Sequence, residues 1–436
     1  MRSFLSILLL AIVDIACMAL SITIAVFIRQ ILNYFGDFPI IDYAYIKFFS
    51  VYIIEFLMLA YLGTYTYRYD FWHESHLIVR ASVFSAILLF AGLALGQNAE
   101  FYSRSTLFLI FFSMCFFLPL GRALVKFYLF KTKIWQKRVK VIGNLSIQEY
   151  QIFTSFYTGY TLVDDENYDV LFISSKDFSL TDLNKIIENN TIKNREILFI
   201  PVLNQYDFTQ AILYQNFDAR VNLFALENKL LSKKNKLMKS ILDYSLSLFS
   251  LPIWGVVILL IALKMKIEDP KGKIFFLQER LGKDGKIFYC YKFRTMVSDQ
   301  SFMQQWLIDN PDEKNYYNTY HKYVNDPRIT KLGSFLRKTS LDELPQLFNV
   351  LKGDMSLVGN RPYMITEKNK MGNAANLILA SKPGITGLWQ VSGRSEISFD
   401  ERLKIDSWYI INWSIWNDIV ILFKTVGVVL RRDGAS

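Results

Sequence analysis

LSLFSLPIWGVVILLIAL, residues 246–263, runs for eighteen positions without a charge, and how it is read decides the fold. By length it is a membrane helix, since about 20 apolar residues cross a hydrocarbon core of roughly 30 Å. Two features disagree. Lys229, Lys233, Lys234, Lys236 and Lys239 precede it and Lys264 and Lys266 follow it. Basic flanks favour the cytoplasmic side, here at both ends. Pro252 also falls inside it, two residues after Ser250, and proline removes a backbone donor and breaks or kinks a helix. A broken helix that enters and leaves by one leaflet meets both observations, if neighbours satisfy the freed carbonyls. A kinked full span is the competing reading.

Upstream lie four further apolar stretches, residues 3–28, 48–67, 81–99 and 105–121. The first carries only Asp14, the second only Glu55, and the others no charge. Each is long enough, or nearly so, to span. The first is too long for a cleavable signal peptide, contains Asp14 and lacks a small-residue cleavage site. Residues 122–140 hold seven Lys or Arg and no acid, which places them in the cytoplasm. Four spans then put the N-terminus there too. Tyr65, Tyr67, Arg68, Tyr69, Phe71 and Trp72 read as an interfacial belt on that side. Asp14 and Glu55 are either functional or helix-packing groups.

The composition agrees with a membrane chain. Of 436 residues, 52% are hydrophobic and only 20% charged, which excludes disorder and argues against a purely soluble enzyme. The net charge of +10 points to a membrane surface or polyanionic substrate, with no need for nucleic acid. Cys17, Cys115 and Cys290 are too far apart for a disulfide framework or zinc site. His73 and His76 flank Glu74, a motif too short to fix a metal.

The middle of the chain alternates short apolar runs with helical patterns. Residues 138–142 (RVKVI), 169–174 (DVLFIS) and 196–202 (EILFIPV) read as buried parallel strands, with a helix over 180–188. This is a small doubly wound α/β domain. Gly143-Asn144-Leu145-Ser146 follows its first strand. A dinucleotide loop needs three glycines there, so a structural or dimerising module is expected.

The C-terminal part is denser in motifs. QERLGKDGK, residues 278–286, is a tight hairpin before a strand over 287–293. In YKFRTM, residues 291–296, Lys292 and Arg294 share a strand face. Residues 326–362 read DPRITKLGSFLRKTSLDELPQLFNVLKGDMSLVGNRP. Here Arg328, Lys331, Arg337 and Lys338 approach Asp342-Glu343, and Arg361 follows. Thr339 and Ser340 are N-cap candidates for a helix starting near Leu341, with Pro345 near its first turn. Adjacent helical residues point about 100° apart, so the two carboxylates divide their roles. One can serve as nucleophile or base while the other holds Mg²⁺. Arginines neutralise phosphate charge. A capping acid beside a solvated neighbour is the plain alternative.

These residues match a family. From about Lys239 onward, close to half the chain, the sequence resembles the bacterial sugar transferase domain of monotopic phosphoglycosyl transferases. The likeness is carried by residues 291–296, by LRKTSLDELPQL (336–347), by NVLKGDMS (349–356), by KPGITGLWQVSGR (382–394) and by Asn412-Trp413-Ser414. The order of parts resembles the family's large members. Those place four transmembrane helices and a degenerate Rossmann-like α/β domain before an α+β catalytic domain anchored by a re-entrant helix. The boundaries so implied are 1–135, 136–232 and 233–436, with the re-entrant helix over 240–264.

The resemblance implies transfer of a sugar-1-phosphate from a UDP-sugar to a polyprenyl phosphate, usually undecaprenyl phosphate, with UMP leaving. Such a step initiates a surface glycan. Asp342 would be the nucleophile of a covalent phosphosugar intermediate and Glu343 the Mg²⁺ ligand. Lys292, Arg337, Arg361 and Arg394 match basic positions around phosphates and nucleotide. Asp406 matches an acidic position near them whose role stays open. Ser250 and Pro252 match the family's helix break, which favours the re-entrant reading. The implied setting is the bacterial inner membrane, with the catalytic domain facing the cytoplasm and membrane lipid around it; the oligomeric state stays open, a homodimer through the membrane or Rossmann-like part being one option. Galactose or glucose is the expected sugar, with N-acetylated sugars as the open alternative. One departure is visible: the family's G-P-R-P is Gly359-Asn360-Arg361-Pro362 here. Trp408, Trp413 and Trp416, followed by residues 419–430, apolar except Lys424, read as an amphipathic surface helix, with a core role for some of the tryptophans as the alternative. Two other functions stay open: a glycosyltransferase that moves only the sugar and releases UDP, and a non-catalytic scaffold for glycan assembly.

Overall fold

The computed structural model describes residues 2–32, 45–46, 48–96, 102–165, 167–191, 196–200, 212–216, 221–225, 229–297, 299, 301–313, 323, 326–392 and 397–431. The chain divides into two units, Met1–Asn204 and Gln205–Ser436. The first opens with α1 (Arg2–Leu32), α2 (Phe49–Tyr61), α3 (Phe71–Leu95) and α4 (Arg104–Lys131). Among the described residues, α1, α3 and α4 are long and apolar enough to cross a membrane. The second expected span is shorter than the sequence suggests. α2 has thirteen residues, about 20 Å at 1.5 Å each, and a bilayer core is roughly 30 Å. It stops because Gly63, at φ +74°, turns the chain, and the Thr64 amide closes back on the Leu59 carbonyl at 3.2 Å.

The apolar core of these helices includes Met18, Ile22, Leu59, Ile78, Leu107 and Met114. A charge cluster is buried beside it. Arg122 donates through Nε and Nη2 to Asp14 at 2.8 and 2.6 Å and through Nη1 to Glu74 at 2.9 Å. Lys126 donates to the other Glu74 oxygen at 2.7 Å, and the Tyr157 hydroxyl donates to that same oxygen. Tyr65 completes Asp14 at 2.5 Å. Two carboxylates and two cations thus balance in a space closed to solvent. Asp14 is a packing group. Glu55 accepts from Ser82 at 2.8 Å and bridges two helices. Arg122 and Lys126, counted above among the cytoplasmic charges, are neutralised inside the bundle.

Tyr157 belongs to the α/β part of the same unit. Its strands β1 (Lys137–Ile142), β2 (Tyr160–Leu162), β3 (Val170–Ile173) and β4 (Ile197–Phe199) form a parallel sheet in the order β2-β1-β3-β4. Helices α5 (Ile147–Thr154) and α6 (Leu180–Thr191) connect them. Three strands fall where the alternation placed them. β2, three residues in an aromatic run, gave no periodic signal. The N-terminus of α5, where a nucleotide phosphate would sit, is closed by the chain itself. Ser146 Oγ accepts from Glu149 N at 3.3 Å, and the Ser146 amide donates to Glu149 Oε2 at 2.6 Å.

The second unit begins with an antiparallel hairpin, β5 (Ile212–Asn216) and β6 (Val221–Ala225). Then come α7 (Lys233–Phe249) and α8 (Leu251–Glu268), bent by 58° across Ser250. The bend follows from the sequence. Pro252 sits in the first turn of α8, where its missing N–H is needed least. Ser250 Oγ donates to the Leu246 carbonyl at 2.6 Å, and Trp254 Nε1 to the Ser247 carbonyl at 2.9 Å. The Leu246 carbonyl also keeps its bond from the Ser250 amide at 3.0 Å, and the Ser247 carbonyl, freed at the break, is satisfied by Trp254.

α7 is pinned to the rest of the unit. Asp243 accepts from Ser356 Oγ at 2.7 Å and from the Leu357 amide at 3.1 Å. Lys239 donates to Asp418 at 2.7 Å. The expected hairpin forms from β7 (Phe275–Leu281) and β8 (Ile287–Phe293), paired Phe275 to Phe293. β9 (Ser356–Val358) and β10 (Gly384–Thr386) pair in parallel. The terminal helix, Ile415–Arg431, exposes Phe423, Val426 and Leu430 and buries Ile421, as an amphipathic surface helix should. Trp413 is core, its indole N–H on Asp418 at 3.1 Å.

Candidate active site

The carboxylate pair lies between two short helices. The first, Lys331–Lys338, is capped by Thr330, whose hydroxyl accepts from Gly333 N at 2.8 Å. Ser340 then adopts a left-handed conformation, φ +55°, and Leu341–Glu343 form a 3₁₀ turn. The α-helix expected near Leu341 begins instead at Gln346, and Ser340 caps nothing with its side chain. Pro345 lies just before that helix, where its fixed φ suits the first turn. A 3₁₀ turn separates neighbouring side chains by about 120°, so Asp342 and Glu343 still point apart.

Strand β8 supplies the first cation. Lys292 Nζ donates to Glu343 Oε1 at 2.6 Å. Burial disfavours its charge, but Glu343 and then Asp342 outweigh that and hold the ammonium above its ordinary pKa. Burial, followed by the neighbouring Glu343, pushes Asp342 up to about 6, against the pull of Lys292 and Arg337. Arg337 is oriented by a 3.0 Å bond from Nε to Thr295 Oγ1.

Arg361 comes from the turn after β9. Its amide donates to Asp406 Oδ2 at 3.3 Å, and Tyr363 donates to the same oxygen at 2.8 Å. Asp406 is fully buried and lies outside the cavity lining. Burial pushes it to about 7 even though Tyr363 and the Arg361 amide favour its charged form. It holds the turn that carries Arg361. Asn360 tightens that turn in place of proline. Its Nδ2 donates to the Arg361 carbonyl at 3.1 Å and its Oδ1 accepts from Ser381 at 3.0 Å. Gly359 has to be glycine, because a Cβ there would lie 2.6 Å from the Gly384 nitrogen.

Asp342, Glu343, Lys292, Arg337 and Arg361 all line one cavity of about 1020 Å³. Arg394 lies outside the described residues. The cavity also takes in groups that the sequence reading did not single out. Arg280, on β7, donates from Nη1 to the Pro362 carbonyl at 3.0 Å. Arg402 stacks on Trp389 at 4.6 Å, and Arg361 faces the same ring at 5.8 Å. Burial first and the charge of Arg361 second depress the pKa of both Arg280 and Arg402. Trp389 Nε1, Arg280 Nε and Arg402 Nε are buried donors without a hydrogen-bond partner among the described residues. With Lys271, Lys273 and Arg294, the lining holds eight cations against two carboxylates. Such a surplus, with orphan donors, accepts a polyanion.

The described residues contain no cluster of three His, Cys, Asp or Glu that could cage a metal. A Mg²⁺ ion needs no cage, since it takes one or two carboxylates and completes its shell with substrate phosphate and water. The adjacent Asp342 and Glu343 in an anion-accepting cavity fit that arrangement.

A family model described as bacterial sugar transferase matches residues 234–432. Over 414 residues the chain is 35% identical to the undecaprenyl-phosphate galactose phosphotransferase of Salmonella typhimurium, covering 86% of this chain and 84% of that one. It is 34% identical over 414 residues to the UDP-galactose-lipid carrier transferase of Erwinia amylovora, with the same coverage, 86% and 84%. A shorter match, 36% over 240 residues, is to the UDP-glucose:undecaprenyl-phosphate glucose-1-phosphate transferase of Escherichia coli, covering 53% of this chain and 48% of that one.

Proposed function

The chain belongs to the bacterial sugar transferase family, and from that premise we propose that it moves a sugar-1-phosphate from a UDP-sugar to undecaprenyl phosphate. UMP is released, and the lipid-linked sugar starts a surface glycan. The observation that carries this reading is the convergence of Asp342, Glu343 and the cation surplus in one cavity. Galactose and glucose, named in the relatives, are the first sugars to test.

In the proposed reaction an Asp342 oxygen attacks the β-phosphorus of the UDP-sugar. The bond from that phosphorus to the bridging oxygen breaks, and its electron pair leaves with UMP. An oxygen of the acceptor phosphate then attacks the same phosphorus, and the Asp342 carboxylate departs. With a pKa near 6, Asp342 is mostly ionised at neutral pH and needs no base to remove a proton. Lys292 keeps Glu343 oriented, and Arg337, Arg361 and Arg402 offset phosphate charge. Mg²⁺ held by Glu343 would neutralise further phosphate charge when bound. Two steps through one nucleophile let donor and acceptor bind in turn.

The membrane reading follows the same logic. A UDP-sugar is cytosolic and its acceptor phosphate lies at headgroup level, so the cavity belongs at the cytoplasmic face of the inner membrane. A re-entrant α7–α8 pair, broken at Ser250 and Pro252, keeps it there. The 58° bend, the internally satisfied carbonyls and the basic flanks support this. We take the α/β part to be a Rossmann-like domain that has lost nucleotide binding, because Glu149 occupies the anion position. Its proposed use is structural, in a homodimer that mass measurement in lipid particles would reveal.

The deciding experiment is a burst assay in lipid nanodiscs without acceptor. Wild type should release one equivalent of UMP and gain the mass of a phosphosugar, and Asp342→Asn should do neither. Release of UDP would favour transfer of the sugar alone. No turnover across a panel of UDP-sugars would favour a scaffold.

A further inference from the structure

The loop after α8 is built more firmly than a connection requires. Lys266 Nζ donates to the Pro270 and Gly272 carbonyls at 3.0 Å each. The Gly272 amide donates to Asp269 Oδ1 at 3.0 Å. From the other side, Arg294 donates through Nε to the Lys273 carbonyl at 2.7 Å and pairs with Asp269 at 2.9 Å. The backbone is thereby fixed at the foot of β8, two residues beyond Lys292. Lys271 and Lys273 remain exposed, line the cavity, and form no ion pair with a described residue.

α8 leads to this loop with an exposed apolar stripe of Val256, Leu259, Leu260, Leu263 and Ile267. Their spacing puts them on one helix face. From Val256 to Ile267 the stripe runs about 16 Å, roughly half of a bilayer core. A lipid lying along it would have its phosphate at the level of residues 271–273.

We propose that Lys271 and Lys273 receive the phosphate monoester of the lipid acceptor, with the first part of its hydrocarbon chain on the α8 stripe. The site rests on the transferase reading above and adds where the second substrate docks. Charge complementarity selects a phosphate, and continuity with the cavity selects the acceptor over bulk headgroups.

The test is the double variant Lys271→Gln/Lys273→Gln in nanodiscs of phosphatidylcholine alone and of phosphatidylcholine with an anionic lipid. Loss of two charge-assisted contacts should raise the KM for undecaprenyl phosphate on the order of tenfold, equally in both discs. The KM for undecaprenyl phosphate should rise by a larger factor than the KM for UDP-sugar, and Lys271→Arg/Lys273→Arg should restore it. An effect confined to anionic discs would assign the lysines to bulk headgroups and overturn the proposal. So would an unchanged KM, or a KM for UDP-sugar that rises as steeply. A wild type with no burst at all would remove the transferase reading itself, a result separable from any of these.

Discussion

Arg122 is the most consequential side chain outside the cavity. It is completely buried, and among the described residues it is the one cation bonded to Asp14. Arg122→Met keeps the volume and removes the charge. Glu74 retains Lys126 and Tyr157, whereas Asp14 keeps only Tyr65. Breaking a buried pair by deleting one partner costs about 3–5 kcal/mol. For a unit of this size each kcal/mol lowers Tm by roughly 2–4 °C, so the variant should melt roughly 6–20 °C lower. Adding Asp14→Asn removes the stranded charge and should recover about half of that loss or more. Thermal unfolding in nanodiscs, followed by tryptophan emission, reads both. Trp135 is a suitable reporter, buried with Arg68 at 4.0 Å and Lys126 at 4.9 Å. If Arg122→Met melts within about 2 °C of wild type, or if the two single losses simply add in the double variant, the cluster is not the coupled unit described here.

Two further outcomes follow from the turn that carries Arg361. Asp406 has its folded-state pKa raised from 3.8 to about 7. The unfolded state therefore ionises near pH 4 and the folded state only near pH 7, so stability falls as pH rises between them. At about 1.36 kcal/mol per unit the loss is on the order of 4 kcal/mol. Asp406→Asn, neutral throughout, should gain Tm relative to wild type between pH 5 and pH 8, and parallel melting curves at both pH values would contradict the assignment. Asn360→Ala deletes two hydrogen bonds worth about 0.5–1.5 kcal/mol each. It should lower Tm and raise the KM for UDP-sugar more than it lowers kcat. An unchanged Tm would mean the turn holds without it.

Much of this architecture was legible because local patterns carry it. Uncharged runs marked the long helices, Ser250 and Pro252 marked the bend, and the alternation in residues 291–296 put Lys292 on the cavity face. What the sequence hid is long-range or conformational. Arg122 and Asp14 lie 108 positions apart, and no spacing rule pairs them. Arg280 sits in a segment read as a turn, and Arg402 on a helix with ordinary surface chemistry. Their convergence on Trp389 and the Arg361 turn exists only after β7, β9 and β10 have packed. The helix expected at Leu341 was misplaced because Ser340 takes a left-handed conformation, which its side chain does not announce.

The eight cations and two carboxylates of the cavity also bear on how a substrate gets in. A site so unbalanced does not stand bare in a cell. Chloride, inorganic phosphate and other small anions compete for such a surplus, and under the proposed function a nucleotide sugar enters by displacing them. Capture is in that sense ion exchange, weakened by ionic strength as charges are screened over about 8 Å at physiological salt. An affinity measured in dilute buffer will therefore overstate the one that operates at physiological salt.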